Sequence, residues 1–229
     1  MSNKIFVIAE AGVNHNGSLV KAKKLIDIAS YCGADAIKFQ LFKVNENILK
    51  SSRKLDYVKK NFKTKLSMYD IIKKLEFSFQ DFTILKKYCF RRNIEFMLSC
   101  FDTTSVNILK KLKVKKIKIP SGEITNYPLL KKIASLNKPV ILSTGMANIN
   151  EIKSAVKLLN KFGIPKEKIT VLHCNTYYPT EMKDLNLNVL ISFKKIFKNI
   201  GLSDHSLDTD VPLAAIGAGS KIIEKHFTI

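Results

Sequence analysis

Two lysines stand where lysines are costly. Lys38 lies inside the apolar run DAIKFQ (35–40) and Lys118 inside KIKIP (116–120). A buried ammonium needs an anionic partner. Hydroxyls and glycine turns accompany them in Pro120-Ser121-Gly122-Glu123, Ser143-Thr144-Gly145 and Ser203-Asp204-His205-Ser206. Ser121, Ser143 and Ser203 can donate to phosphate or carboxylate oxygens, and the backbone N–H groups of Gly122 and Gly145 can add to them. Each Ser-Gly element is common by itself. Brought together with two lysines, they suit a small, multiply charged anion.

The four histidines all fall at the ends of apolar runs. His205 follows NIGLS (199–203), and His226 lies in KIIEKHF (221–227). Two imidazoles at neighbouring strand ends suit one divalent ion with positions left open for water and a carbonyl; structural histidines satisfied by hydrogen bonds are the alternative. His173 reads as bonding a carbonyl, and His15 as positioning its turn-like N-H-N-G.

Convergence requires a scaffold. Eight short apolar runs (5–9, 35–40, 94–98, 116–120, 140–144, 169–173, 199–203 and 221–227) alternate with helix-patterned stretches such as 19–33 and 150–163. Continuous apolar strands alternating with helices predict parallel pairing with both faces buried. Eight such units predict an α/β fold, the (β/α)8 barrel, whose strand C-termini converge on one functional face; a doubly wound open sheet is the runner-up. The polar, basic connection 41–66 is long enough to predict a functional loop folding over the barrel mouth.

Composition bounds the rest. The chain has 229 residues and a net charge of +20, from 39 Lys and Arg against 19 Asp and Glu. The basic residues are scattered over the helices without interleaved aromatics, which argues against nucleic acid as a partner while still drawing anions inward. No apolar run approaches a membrane span, and the start reads as no signal peptide, so a cytoplasmic address is expected. Four widely spaced cysteines read as free, mostly buried thiols.

The segments IAEAGVNHNGSL, DAIKFQLFK, KIPSGEITNYPLL, KPVILSTGMA, VLHCNTYYPT, GLSDHS and IEKHFT, in order over nearly the whole chain, resemble the sialic acid synthase family. The resemblance implies a barrel spanning 1–229 that condenses phosphoenolpyruvate with an N-acylated mannosamine-type sugar and water, giving an N-acetylneuraminate-type sugar and phosphate. Lys38, Lys118, Ser121, Ser143, Asn175 and Ser203 would bind phosphoenolpyruvate. His205 and His226 would hold Mn²⁺ or Mg²⁺, while Glu10, Gln40, Glu123 and Tyr177 would face the sugar or the reacting centre. Glu123, with Glu10, is the expected catalytic carboxylate, handling the proton of a metal-bound or attacking water. Leu41, Leu202 and Cys100 depart from the family pattern and are expected to tune the pocket.

Family members are homodimers. They continue past the histidine strand with a closing helix and an antifreeze-like domain whose arginine enters the partner's site. The chain reads as a barrel ending at its eighth strand, a catalytic portion open to a completing C-terminal polypeptide. The resemblance leaves N-acetylmannosamine and a 2,4-diacetamido-6-deoxy sugar (the acceptor of an N,N'-diacetyllegionaminate synthase) as alternative acceptors. A Schiff-base aldolase using Lys118 or Lys38 and an inactive anion-binding remnant are the competing functions.

Overall fold

A computed structural model describes residues 4–54 and 66–229. Eight parallel strands close into a barrel in chain order: β1 (Phe6–Gly12), β2 (Ala36–Leu41), β3 (Glu95–Cys100), β4 (Ile117–Ile119), β5 (Val140–Ser143), β6 (Ile169–Cys174), β7 (Asn199–Asp204) and β8 (Ile222–His226). Closure is made by β8 pairing with β1, in a register that sets Glu10 beside His226. The eight apolar runs of the sequence are these strands, with ends that differ by at most three residues. The open-sheet alternative is excluded.

Helices return the chain between strands, and their ends are written in local chemistry. Ser67, Ser78 and Asn148 each close a capping box with the acidic residue three positions on, Asp70, Asp81 and Glu151. This satisfies amide donors that the first turn leaves unpaired. Helices Leu19–Tyr31 and Phe79–Arg91 turn Leu25, Ile26, Phe82 and Leu85 toward the barrel wall. The outward residues of the strands, among them Phe39, Leu98, Ile117, Leu142 and Val171, meet them in one large apolar layer.

Inside the barrel the pleat sorts residues by height. Ile8, Ala36, Met97, Ile141, Leu172 and Ile222 form a separate apolar plug. Gly201 belongs to the same level, and a Cβ there would lie 2.4 Å from the Ile222 carbonyl oxygen and 2.6 Å from Leu172 Cδ2. The glycine therefore lets β7 and β8 pack closely around that plug.

The connection after β2 contains the short helix Val44–Asn47 and returns through the helix Met68–Lys73. Its start is tied to the barrel rim by Asp102 and to its own return by Glu76. Asp102, buried after β3, accepts from the Lys43 amide at 2.8 Å and from Asn47 Nδ2 at 3.1 Å. Glu76 accepts from Lys43 Nζ at 2.9 Å, Lys73 Nζ at 3.0 Å and the Val44 amide at 3.1 Å. The expected fold of this connection over the mouth concerns a span whose centre, 55–65, lies outside the described residues.

Candidate active site

Two residues above the apolar plug, the interior changes character. Glu10, Lys38, Ser99, Lys118, Ser143, Cys174, Ser203 and Glu224, one from each strand in turn, line a cavity of about 180 Å³. On the strands that contribute to the plug the step to the polar layer is i to i+2, because side chains two apart share a face of a strand. Lys38 and Lys118 are thus interior residues of a barrel, and both are about 3% exposed.

Their counter-charges are internal. Lys38 Nζ lies 2.5 Å from Glu10 Oε2 and 3.7 Å from Glu224 Oε2. Lys118 Nζ lies 3.4 Å from Glu224 Oε1, which also accepts the Ser203 hydroxyl at 2.9 Å. The layer therefore holds two cations and two carboxylates. Burial raises the Glu10 carboxyl to about 7, outweighing the opposing pull of Lys38. Burial acts on Glu224 in the same direction, but Lys118, Lys38 and Ser203 overcome it and hold that group well below the usual carboxylate range. Lys118 is pushed below the ordinary lysine value by burial, whereas the carboxylates beside Lys38 outweigh burial and raise it. The Ser143 hydroxyl is buried in the same layer with no hydrogen-bond partner among the described residues. A buried donor left open toward a cavity is a group awaiting a ligand.

The rim is built by Gln40, Phe101, Pro120, Ser121, Gly122, Tyr178, His205 and His226. Gly12 has φ +54, and a Cβ there would sit 3.5 Å from Glu10 Oε1, 3.7 Å from His226 Cε1 and 3.8 Å from Gln40 Nε2, so these side chains converge on its bare backbone. Gly145, at φ +48, allows Ser121 to approach, since a Cβ would fall 2.6 Å from Ser121 Cβ.

His205 Nδ1 donates to the Asn175 carbonyl at 2.5 Å. A carbonyl only accepts, so this contact places the proton on Nδ1 and leaves a lone pair on Nε2. The His205 and His226 ring centroids are 5.5 Å apart, with Tyr178 stacked on His205 at 4.0 Å and edge-on to His226 at 5.7 Å. Both imidazoles titrate below their ordinary value, first through desolvation; the Lys38 charge adds to it at His226 and the Asn175 carbonyl opposes it at His205. Neutral imidazoles with a free ring nitrogen fit a divalent ion as nitrogen ligands, and two of them leave such a site open. Among the described residues no group of three or more His, Cys, Asp or Glu is placed to hold a metal.

Of the twelve residues expected from the sequence to act in catalysis or to bind substrate or metal, Glu10, Lys38, Gln40, Lys118, Ser121, Ser143, Ser203, His205 and His226 line this cavity. Three do not. The Glu123 carboxylate accepts from Asn126 Nδ2 at 2.7 Å, in the turn that starts the helix Tyr127–Ala134. Asn175 holds the wall together, donating to the Asp184 carbonyl and accepting from the Tyr177 amide. Tyr177 is 70% exposed, and its neighbour Tyr178 takes the place beside the histidines. In an irregular loop there is no period from which to choose between adjacent tyrosines.

The Gly145 amide, expected to meet an anion, donates instead to Cys174 Sγ at 3.1 Å. Leu41, Cys100 and Leu202 face the layer between strands and helices, not the pocket, because each lies an odd number of residues from an interior position. Glu224, Cys174, Ser99 and Tyr178 were not singled out. For Glu224 the signal was present, since it lies two residues before His226 on β8 and shares its face. His173 Nε2 donates to the Leu185 carbonyl at 2.7 Å, and His15 stacks on Phe77 while accepting from the Gly17 amide. Both are structural.

A larger cleft of about 660 Å³ opens outside the barrel between the helices Ile149–Lys161 and Asn188–Ile196. Lysines and one glutamate rim an apolar floor there, with no convergent hydroxyls or imidazoles.

Comparison with known proteins places this geometry. The NeuB family pattern matches residues 25–229. An N,N'-diacetyllegionaminic acid synthase of Campylobacter jejuni is 47% identical over 227 residues, covering 99% of this chain and 68% of the relative. A second, from Legionella pneumophila, is 41% identical, with 98% and 64% covered. This chain thus spans about two thirds of the length of these relatives. The crystal structure of an N-acetylneuraminic acid synthetase from Leptospira borgpetersenii superposes with a TM-score of 0.86 at 36% identity, over 99% of this chain and 74% of that one.

Proposed function

This chain belongs to the NeuB family, and on that premise we propose that it condenses phosphoenolpyruvate with an acylated mannosamine-type sugar and water, releasing phosphate and a nonulosonic acid. The observation that carries the reading is the polar layer: two buried lysines and an unpartnered buried hydroxyl at the C-terminal face of a barrel.

In this reading C3 of the enol phosphate attacks the open-chain aldehyde, water adds at C2, and phosphate leaves with cleavage of the C2–O bond. Lys38 and Lys118, both buried, neutralise the phosphate and carboxylate of the anion from inside the barrel, where fixed charges act strongly. Ser143 and Ser121 donate to its oxygens, while the Ser203 hydroxyl is committed to Glu224 Oε1 at 2.9 Å. His205 and His226 would hold Mn²⁺ or Mg²⁺, and such an ion supplies polarisation of the sugar aldehyde. Glu10, which lines the cavity, is the proton-handling carboxylate, in place of Glu123. Gln40 and Tyr178 stand at the rim on the side from which the sugar enters.

For the acceptor we favour a 2,4-diacetamido-6-deoxy sugar over N-acetylmannosamine. The support is the identity of 47% and 41% to the two N,N'-diacetyllegionaminic acid synthases.

The test is phosphate release from phosphoenolpyruvate by the 229-residue chain with each acceptor and Mn²⁺, with and without chelator. Release that needs both sugar and metal is expected, faster with the diacetamido sugar. Inactivation by borohydride with a carbonyl substrate, indifferent to chelator, would replace this reading with Schiff-base chemistry at Lys118. Phosphoenolpyruvate binding without turnover would mark a chain that binds but does not complete the reaction alone.

A further inference from the structure

Two carboxylates stand in a cavity assigned to a trianion, and they are not equivalent. Glu10 reaches one lysine, whereas Glu224 reaches both, presenting Oε2 to Lys38 at 3.7 Å and Oε1 to Lys118 at 3.4 Å. Both separations are longer than the 2.5 Å of the Glu10–Lys38 pair, so the carboxylate faces the two ammonium groups without closing tightly on either. Its own orientation is held from the side by the Ser203 hydroxyl, 2.9 Å from Oε1, and Oε2 accepts no hydrogen bond among the described residues. Glu224 is 4% exposed and sits on a barrel strand, where rotamer freedom is small.

We propose that Glu224 is a positioning residue that bridges Lys38 and Lys118, holding their ammonium groups at the spacing with which they grip the two charged ends of phosphoenolpyruvate. The inference rests on the reading of the site given above. A bridge of this kind explains why a negative charge is kept where an anion binds. Glu10 serves Lys38 alone, so without Glu224 the Lys118 ammonium would face Lys38 with no carboxylate between them and would turn aside, or give up a proton, before any ligand arrived.

The proposal makes a prediction opposite in sign to simple electrostatics. Glu224→Gln makes the cavity one unit more positive, and charge alone would tighten anion binding. Loss of the bridge should instead weaken phosphoenolpyruvate binding about tenfold or more. The measurement is calorimetric titration of the purified chain in chelator, with phosphoenolpyruvate and, separately, inorganic phosphate. Lysine spacing matters to a two-ended ligand more than to a single-ended one, so the loss should be clearly larger for phosphoenolpyruvate. Equal losses for both would reduce Glu224 to a general structural residue, and unchanged or tighter binding of phosphoenolpyruvate would overturn the proposal. Should Glu224→Gln fail to fold, Glu224→Asp keeps the charge and shortens the reach; wild-type affinity in that variant would equally overturn it. A wild-type chain that binds neither ligand would sink the phosphoenolpyruvate reading itself.

Discussion

Ser143 has a hydroxyl that is buried, lines the cavity and lacks any hydrogen-bond partner among the described residues. Removing an unpaired buried hydroxyl relieves a desolvation cost and breaks no internal bond. Ser143→Ala should therefore fold with unchanged or slightly raised stability, within about 0.5 kcal/mol of wild type. Phosphoenolpyruvate affinity should nevertheless fall about tenfold or more, the worth of one hydrogen bond to a charged group. Thermal melts and titration of the same preparation separate the two effects; a large stability loss with affinity intact would show the hydroxyl to be structural. Glu10 and Glu123 illustrate the same scale. Both follow apolar runs, but Glu10 continues an interior face and Glu123 has turned into a short 3-10 segment where Asn126 holds it.

Strands and their connections decide which residues meet. The period of two places one residue per strand in the polar layer, and the closed register brings β1 and β8 together. The connection after β2 is anchored by ionic contacts instead. Burial raises the Glu76 carboxyl, but Lys43, the Val44 amide and Lys73 outweigh it and leave the group below its ordinary value. A carboxyl depressed in the folded state stabilises the fold at pH values above its unfolded pKa, and that contribution is lost as pH falls through the folded value. Glu76→Gln should thus lower the melting temperature by a few degrees at pH 7, with the gap to wild type narrowing as pH falls below the ordinary glutamate value. A gap that stays constant from pH 7 to pH 3.5 would show that the carboxylate charge is not what anchors this connection.

The whole molecule carries +20 around a site that holds buried ammonium groups. Such a field concentrates anions near the barrel and is screened by salt over about 10 Å at 0.1 M. Raising ionic strength from about 0.02 to 0.5 M should raise the KM for phosphoenolpyruvate several-fold and leave kcat nearly constant, because the interior charges are shielded from solvent ions. A KM indifferent to salt would confine the electrostatics to the polar layer. No helix among the described residues is long and apolar enough to cross a membrane.

Much was legible in the sequence. Eight apolar runs became eight strands because alternation of strand and helix leaves parallel pairing as the way to bury both faces of each strand. Lys38, Lys118, Ser143, Ser203 and the two rim histidines followed from polar residues at strand ends. Other features were decided only by the tertiary structure. Glu224 became a bridge because barrel closure set β8 within reach of lysines on β2 and β4, a distance no local pattern encodes. Tyr178 displaced Tyr177, and Asn126 drew Glu123 away, in loops where conformation depends on what packs against them. Periodicity is a local property of the chain and reads out directly; the company a buried charge keeps depends on the closed barrel, so it appears only once the strands are in place.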